Sequence, residues 1–244
     1  MKLRPDQTAN QLLSYLSRAD FALIEPFLVR VELPLRRQLE VKNRRIEYAY
    51  FPESGLASVL AAGGAGHNVE VGVIGKEGVS GLPAILESDR AVHETFMQIA
   101  GLGWRIAADD LHAVMAQSAT LRSVFLRYVQ TMMVQMSSSA LANACFPIDE
   151  RLARWLLMAQ DRIDAPVIAL THEFLALMLG SRRAGVTNAI AVLRGKNIIE
   201  ANRGTITILN RGALTDAANG SYGAPEHEYD RMFPRSAVVQ TGTG

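Results

Sequence analysis

Residues Leu170 to Leu193 read LTHEFLALMLGSRRAGVTNAIAVL, and this stretch decides how the C-terminal part of the chain folds. Thr171 is a residue type whose side-chain oxygen caps a helix N-terminus. Behind it Phe174, Leu175, Met178 and Leu179 recur on one face, the spacing of an amphipathic helix. Gly180 supplies the residue that tolerates a positive φ where two helices are joined tightly. In the second helix Val186, Ile190 and Leu193 fall at i, i+4 and i+7 and so face inward. Arg182 and Arg183 occupy its first turn, and Thr187 and Asn188 lie on the outward side. An apolar stripe that fixes the helix angle, with long donors near the N-terminus, is what a base-reading helix needs. A plain helical hairpin with two exposed arginines fits the same residues.

The segment that follows favours the first reading. Ile198 to Leu209, IIEANRGTITIL, reads as two short strands around Asn202-Arg203-Gly204, with Ile206 and Ile208 alternating with Thr205 and Thr207. The turn places one cation, Arg203, at its tip. A helix-turn-helix followed at once by a β-hairpin is a winged helix. Between Pro166 and Thr215 stand Arg182, Arg183, Arg194, Lys196, Arg203 and Arg211, against only Glu173 and Glu200. That local excess of cations is the electrostatic footprint of a surface for double-stranded DNA. Arg182, Arg183, Thr187 and Asn188 are the expected base readers, and Thr171, His172 and Arg203 the expected phosphate anchors.

Ahead of this domain the texture differs. Gln11 to Phe27 has helical spacing, and from Val29 to Ile106 short apolar runs alternate with glycine-rich turns. The expected strands are Val29–Leu33, Gln38–Val41, Tyr48–Phe51, Leu56–Ala61, Asn68–Ile74, His93–Ile99 and Trp104–Ile106. The expected turns are Gly63-Gly64-Ala65-Gly66, Gly75-Lys76-Glu77-Gly78 and Gly101-Leu102-Gly103. Many short strands at near-regular spacing predict a β-sandwich or jelly roll.

Asp109 to Phe146 is free of proline and helix-compatible, and it carries two adjoining apolar stripes from Leu121 onward. One runs through Phe125, Val129, Met132 and Met136, the other through Leu121, Val124 and Tyr128. A helix this apolar predicts one stripe against its own domain and the other against a second subunit, and a wholly internal core helix fits the same residues. Pro147 ends it and leads into the amphipathic IDERLARWLLMAQDRI. The fold class is therefore α+β: a β-sandwich or jelly-roll domain over 1–118, a dimerisation helix over 119–146, a winged helix-turn-helix over 147–218, and a partly disordered tail over 219–244. In that tail Tyr222, Tyr229 and Phe233 are candidates to fold back on the winged helix.

Composition excludes several classes. The 49% hydrophobic and 20% charged content of 244 residues gives ample core material for a globular chain. Cys145 is the one cysteine, so no disulfide lies within the chain, and it reads as a small buried residue or a redox-responsive thiol. No run approaches the ~20 apolar residues of a membrane span, and the N-terminus lacks a secretory signal. The expectation is a cytoplasmic protein. The histidines His67, His93, His112, His172 and His227 form no spaced pair, so neither metal nor cofactor is expected. The glycines at 72, 75, 78 and 81 lack a following G-K-[ST], and the Ser137–Ser139 run lies in a helix without an elbow, so catalysis is not expected.

Order and content together resemble the Crp/Fnr family of bacterial transcription regulators, most closely in ERLARWLL (Glu150–Leu157) and in LTHEFLALMLGSRRAGVTNAIAVL. The resemblance implies a cyclic-nucleotide-binding-type β-roll, a dimerisation helix and a DNA-binding winged helix, acting as a homodimer on a near-palindromic site, with RNA polymerase as a further partner. It places Thr171 at a phosphate and Arg183 on guanine. Ala184 and Asn188 stand where many members have glutamate and arginine, so the family's usual half-site is not expected. In the β-roll Gly81 matches the nucleotide-binding turn, but Leu82 replaces its glutamate and Pro83 removes a donor just beyond. Arg90 is the candidate phosphate arginine, with Ala91 in place of serine. A leucine cannot bond a ribose hydroxyl, so the pocket formed by Gly81, Leu82 and Arg90 suits cyclic AMP poorly. Arg90 also reads as a solvated loop residue beside Glu87 and Asp89. A regulator gated by a cyclic nucleotide or another small molecule, and a winged helix that binds protein, are the alternatives.

Overall fold

Short alternating segments can bury their apolar faces by pairing into two stacked antiparallel sheets. The computed structural model describes residues 5–63, 68–163, 165 and 167–234. Two short helices, α1 (Gln11–Ser14) and α2 (Arg18–Ile24), open it, capped by the side chains of Asn10 and Ser17. Then come strands β1 (Val29–Leu33), β2 (Gln38–Glu40), β3 (Tyr48–Pro52), β4 (Leu56–Ala62), β5 (Asn68–Ile74), β6 (Glu94–Ile99) and β7 (Gly101–Ala107), with helix α3 (Leu82–Ile85) between β5 and β6. One sheet has the order β1-β7-β3 and the other β2-β6-β4-β5, antiparallel throughout. Leu33, Ala49, Phe51, Val59, Ile74, Met97 and Ile106 belong to one buried cluster of this domain. The β jelly roll expected from the sequence is present.

One expected turn is not a turn. Gly101, Leu102 and Gly103 lie in β7, opposite Leu33, Glu32 and Val31 of β1. A Cβ on Gly101 would collide with the Ser54 carbonyl, so this glycine answers close backbone approach rather than chain reversal. Gly75 to Gly78 does form its turn, with Gly78 N–H bonded to Gly75 C=O at 3.1 Å. Of Gly63-Gly64-Ala65-Gly66, residues 64–66 lie outside the described residues, as does His67.

The stretch from Asp109 onward is two helices, α4 (Ala108–Gln117) and α5 (Ala119–Cys145), separated at Ser118, whose hydroxyl caps Leu121 N–H at 3.2 Å. Leu121, Val124, Phe125, Tyr128, Val129 and Met132 are all buried in the core of their own subunit, and Met136 packs against it. Six of the seven residues expected to include a partner contact are thus consumed internally, and Met136 is partly buried against them. Apolar periodicity says that a stripe is buried, not against what. The exposed side of α5 instead carries Leu126, Gln130, Met133, Ser137, Ala140 and Ala144. Cys145, at the end of the helix, is exposed rather than buried.

After Pro147 come α6 (Ile148–Arg162), β8 (Val167–Ala169), α7 (His172–Met178), α8 (Arg183–Gly195), β9 (Ile199–Asn202), β10 (Thr205–Ile208), α9 (Arg211–Ala217) and α10 (Ala224–Met232). Their second core gathers Leu152, Leu156, Leu175, Val186, Ile190 and Leu193, and it also takes in Leu56, Leu60 and Val73 of the jelly roll. The seam between the two parts is polar as well. Trp155 Nε1 donates to Glu70 Oε1 at 2.6 Å, and Arg162 Nε donates to Glu77 Oε1 at 2.7 Å. The tail departs from expectation. Tyr222 packs against the winged-helix core, but Tyr229 and Phe233 dock on the jelly-roll side, where Phe233 meets Tyr15 edge-on at 5.1 Å. The Ser/Thr/Gly-rich end falls at 235–244, outside the described residues.

Candidate nucleic-acid interface

The cap read from the sequence forms: Thr171 Oγ1 accepts Phe174 N–H at 3.2 Å and starts α7. Gly180 has φ of +52° in the joint between α7 and α8. Val186, Ile190 and Leu193 are buried beneath α8 and set its orientation, while Arg182, Arg183, Thr187 and Asn188 all stand exposed.

Two contacts organise the exposed face. Arg183 Nη1 lies 3.0 Å from Glu173 Oε1, with both side chains largely in solvent. Exposed pairs of this kind contribute about 0–1 kcal/mol, so the guanidinium is released to another acceptor at little cost. Thr187 Oγ1 donates to Arg183 C=O at 3.0 Å and sits 3.1 Å from His172 Nδ1. His172 and Thr187, read separately from the sequence, therefore touch.

The wing closes beside this face. Asn202 pairs with Thr205, so Arg203 and Gly204 form a two-residue loop, and Gly204 takes the positive φ (+76°). Leu170 N–H donates to Gly204 C=O at 2.8 Å, tying the turn to the residue before Thr171. The exposed Arg203 is thereby held near the α7 cap. Sequence reading missed the third strand, β8, which pairs with β10 through Ile168↔Ile206. A three-residue strand directly after a proline carries too little alternation to register. Arg211 leaves the footprint: it is bound to Asp161 at 2.6 Å and to the Tyr222 hydroxyl at 2.9 Å.

Residues 150–217 match the family model of the Crp-like helix-turn-helix domain. This chain carries a Crp-like helix-turn-helix. The likeness of fold runs through the rest of the chain. A Crp/Fnr-family regulator from Eubacterium rectale aligns at 19% identity and TM-score 0.68, over 87% of this chain and 99% of its own. FixK2 from Bradyrhizobium japonicum aligns at 15% identity and TM-score 0.68, over 78% and 96%. The c-di-GMP-responsive global regulator CLP from Xanthomonas campestris aligns at 15% identity and TM-score 0.65, over 79% and 99%. Among curated proteins none matches. With its Crp-like domain behind a jelly roll and a long helix, the chain has the architecture of the Crp/Fnr transcription regulators.

In the jelly roll that precedes the Crp-like domain, Gly81 (φ +79°) opens α3, and Leu82 and Pro83 line a cavity of about 320 Å³ against α5. Its wall is mostly apolar, with Val59, Ile74, Met132 and Met136, and its polar groups include Glu40, Thr95 and His93. The Gly81 amide donates to Glu40 Oε1 at 2.9 Å. Burial raises the Glu40 pKa, while burial and the nearby Lys42 lower that of His93. Arg90 is not in this wall; its side chain is exposed, 3.8 Å from Asp89. The solvated-loop reading of Arg90 is the one its position supports, and the sequence-based grouping of Arg90 with Gly81 and Leu82 is corrected.

Proposed function

We propose that the chain is a sequence-specific, DNA-binding transcription regulator acting as a homodimer on a near-palindromic site. The observation that carries this is the exposed cluster of Arg182 at the N-cap of α8 and Arg183, Thr187 and Asn188 on it, anchored from below by Val186, Ile190 and Leu193 inside a Crp-like domain. Arg183 has the fork that bonds guanine O6 and N7 together. Thr171, His172 and Arg203 hold phosphates, and Thr187 and Asn188 tune base preference.

Dimerisation goes through the exposed side of α5. Leu126, Gln130, Met133, Ser137, Ala140 and Ala144 recur at alternating intervals of four and three, the repeat of a coiled-coil seam. Two subunits joined there present two recognition helices to half-sites about one helical turn apart. RNA polymerase is the further protein partner and the cytoplasm the place of action. No helix among the described residues is long and apolar enough to cross a membrane. The chain acts without catalysis.

The jelly-roll cavity does not suit cyclic AMP. A buried carboxylate, Glu40, already occupies the Gly81 amide, Leu82 offers no acceptor to a ribose, and Arg90 lies outside the wall. Its apolar lining supports the second reading, gating by a small effector other than a cyclic nucleotide.

The test is selection from a randomised duplex pool by purified protein, with and without cyclic AMP. An enriched palindrome in both arms is expected. Enrichment only with the nucleotide would overturn the reading of Glu40 and Leu82. A winged helix that binds protein instead would enrich nothing, and its complex would lack the steep salt dependence of phosphate contacts.

A further inference from the structure

A second cavity, about 250 Å³, lies where the turn after β5, α5, α6 and α10 meet. Its wall includes four carboxylates, Glu77, Asp161, Glu226 and Asp230, against one cation, Arg162. Asp161 is satisfied by Arg211 at 2.6 Å and the Tyr222 hydroxyl at 2.6 Å. Arg162 is spent as well: its Nε bonds Glu77 Oε1 at 2.7 Å and its Nη1 bonds Met158 C=O at 2.8 Å. Counting Arg211 with Asp161, and Arg154, whose charge is coupled to Glu226, four carboxylates face three guanidiniums. The site keeps a net negative charge, which disfavours phosphates and carboxylates.

Unmet hydrogen bonding adds independent evidence. Glu77 Oε2, Glu226 Oε1 and the Tyr128 hydroxyl are each buried without a partner among the described residues, and all three residues line this cavity. Tyr128 is 1% exposed. Glu226 Oε2 is engaged at the start of α10, accepting Gly223 N–H at 3.1 Å, which leaves Oε1 over. Orphaned buried acceptors cost about 1–3 kcal/mol each, more when charged, so an accumulation in one cavity calls for a donor.

The chemistry of that donor is constrained. Three acceptors and an excess of negative charge match an ammonium group, which has three donors and no acceptor. Among the described residues no group of three or more His, Cys, Asp or Glu is arranged to hold a metal ion, and the three donors of an ammonium group match the three acceptors one for one. The volume lies below the ~300–1,000 Å³ of pockets for drug-sized ligands, so the molecule is small.

We propose that this cavity binds a small aliphatic amine in its protonated form, the ammonium donating to Glu77, Glu226 and Tyr128. The site is separate from the DNA-reading face and adjoins the jelly-roll cavity, with which it shares Met132 as a wall. Because its wall joins α10 and α6 to the jelly roll and α5, a bound amine ties the C-terminal helix and the Crp-like domain to the rest of the subunit.

Calorimetric titration of the full chain with n-butylammonium chloride, in the absence of DNA, tests this. The control is n-butanol at matched ionic strength, which has the same chain and no charge. Saturable binding of one butylammonium per subunit is expected, with none for butanol. Glu226→Gln should weaken it about tenfold, as should removal of any charged hydrogen-bond acceptor. Asp230→Asn, at an exposed position, keeps the test open if Glu226→Gln fails to fold, and should weaken binding several-fold through the charge alone. Absence of saturation below about 10 mM, equal binding of butanol, or unchanged affinity in both variants overturns the proposal.

Discussion

Trp155 of α6 and Glu70 of β5 are joined by a 2.6 Å hydrogen bond, the indole N–H donating to a carboxyl buried between the Crp-like domain and the jelly roll. Burial pushes the Glu70 pKa up to about 7, partly offset by the hydrogen bond from Trp155 and by Arg154 and Arg162. A folded pKa above the unfolded value means stability is fully present below the unfolded pKa, near 4.5, and is lost as pH rises through about 7. Stability contributed at this seam should therefore fall between about pH 4.5 and 7 and level off above. From the shift, the span is on the order of 3 kcal/mol. Glu70→Gln keeps an acceptor for Trp155 and never ionises, so its denaturation midpoint should vary less with pH over that window. Equal slopes for the two proteins would remove Glu70 as the cause.

Phe233 contacts Tyr15 and Tyr229, and the Arg127 guanidinium lies 5.3 Å from its ring centroid while Nη1 donates to Met232 C=O at 3.0 Å. This is how α10 returns from the Crp-like domain to the jelly-roll side. Phe233→Ala should cost about 3–5 kcal/mol in a urea titration, as truncation of a buried aromatic does. A loss below about 1 kcal/mol would mean that α10 is not held there.

How much of this was legible in the sequence depends on what each signal encodes. The strands could be read because alternation and glycine punctuation are local, and β1 and β5 have the expected bounds. Thr171, Gly180 and the Asn-Arg-Gly turn could be read because a cap and a positive φ constrain residue type at single positions. Helix α10 could not: its polar surface hides Tyr229, its C-cap is the docking Phe233, and the partner of Phe233, Tyr15, is over two hundred residues away. Arg154 and Arg162 broke the pattern of α6 in the other direction, since buried arginines look exposed to any periodicity argument. On α5 the stripes were visible but their partners were not.

Gly180 has a positive φ, and a Cβ there would come within 3.1 Å of Val69 Cγ2. Gly180→Ala should lower stability by roughly 1–2 kcal/mol, from backbone strain and the tight contact together. Thermal unfolding measures this directly. An unchanged melting temperature would show that the joint relaxes freely.

Met133 is 59% exposed on the subunit, in the middle of the proposed seam. Met133→Glu should leave the fold intact, because nothing buried is lost, yet convert a dimer to a monomer in sedimentation or light scattering. Two charges facing each other across a coiled-coil core position are strongly unfavourable. Persistence of the dimer would move the interface off this face of α5.

The most direct test of the central claim, that α8 reads base sequence through Arg183, is the affinity of wild type and Arg183→Ala for the selected duplex and for a scrambled duplex at one salt concentration. Arg183→Ala should lose roughly 1–3 kcal/mol on the selected site, change little on the scrambled one, and relax discrimination at one base pair per half-site. An equal loss on both duplexes would make Arg183 a phosphate contact and contradict the claim.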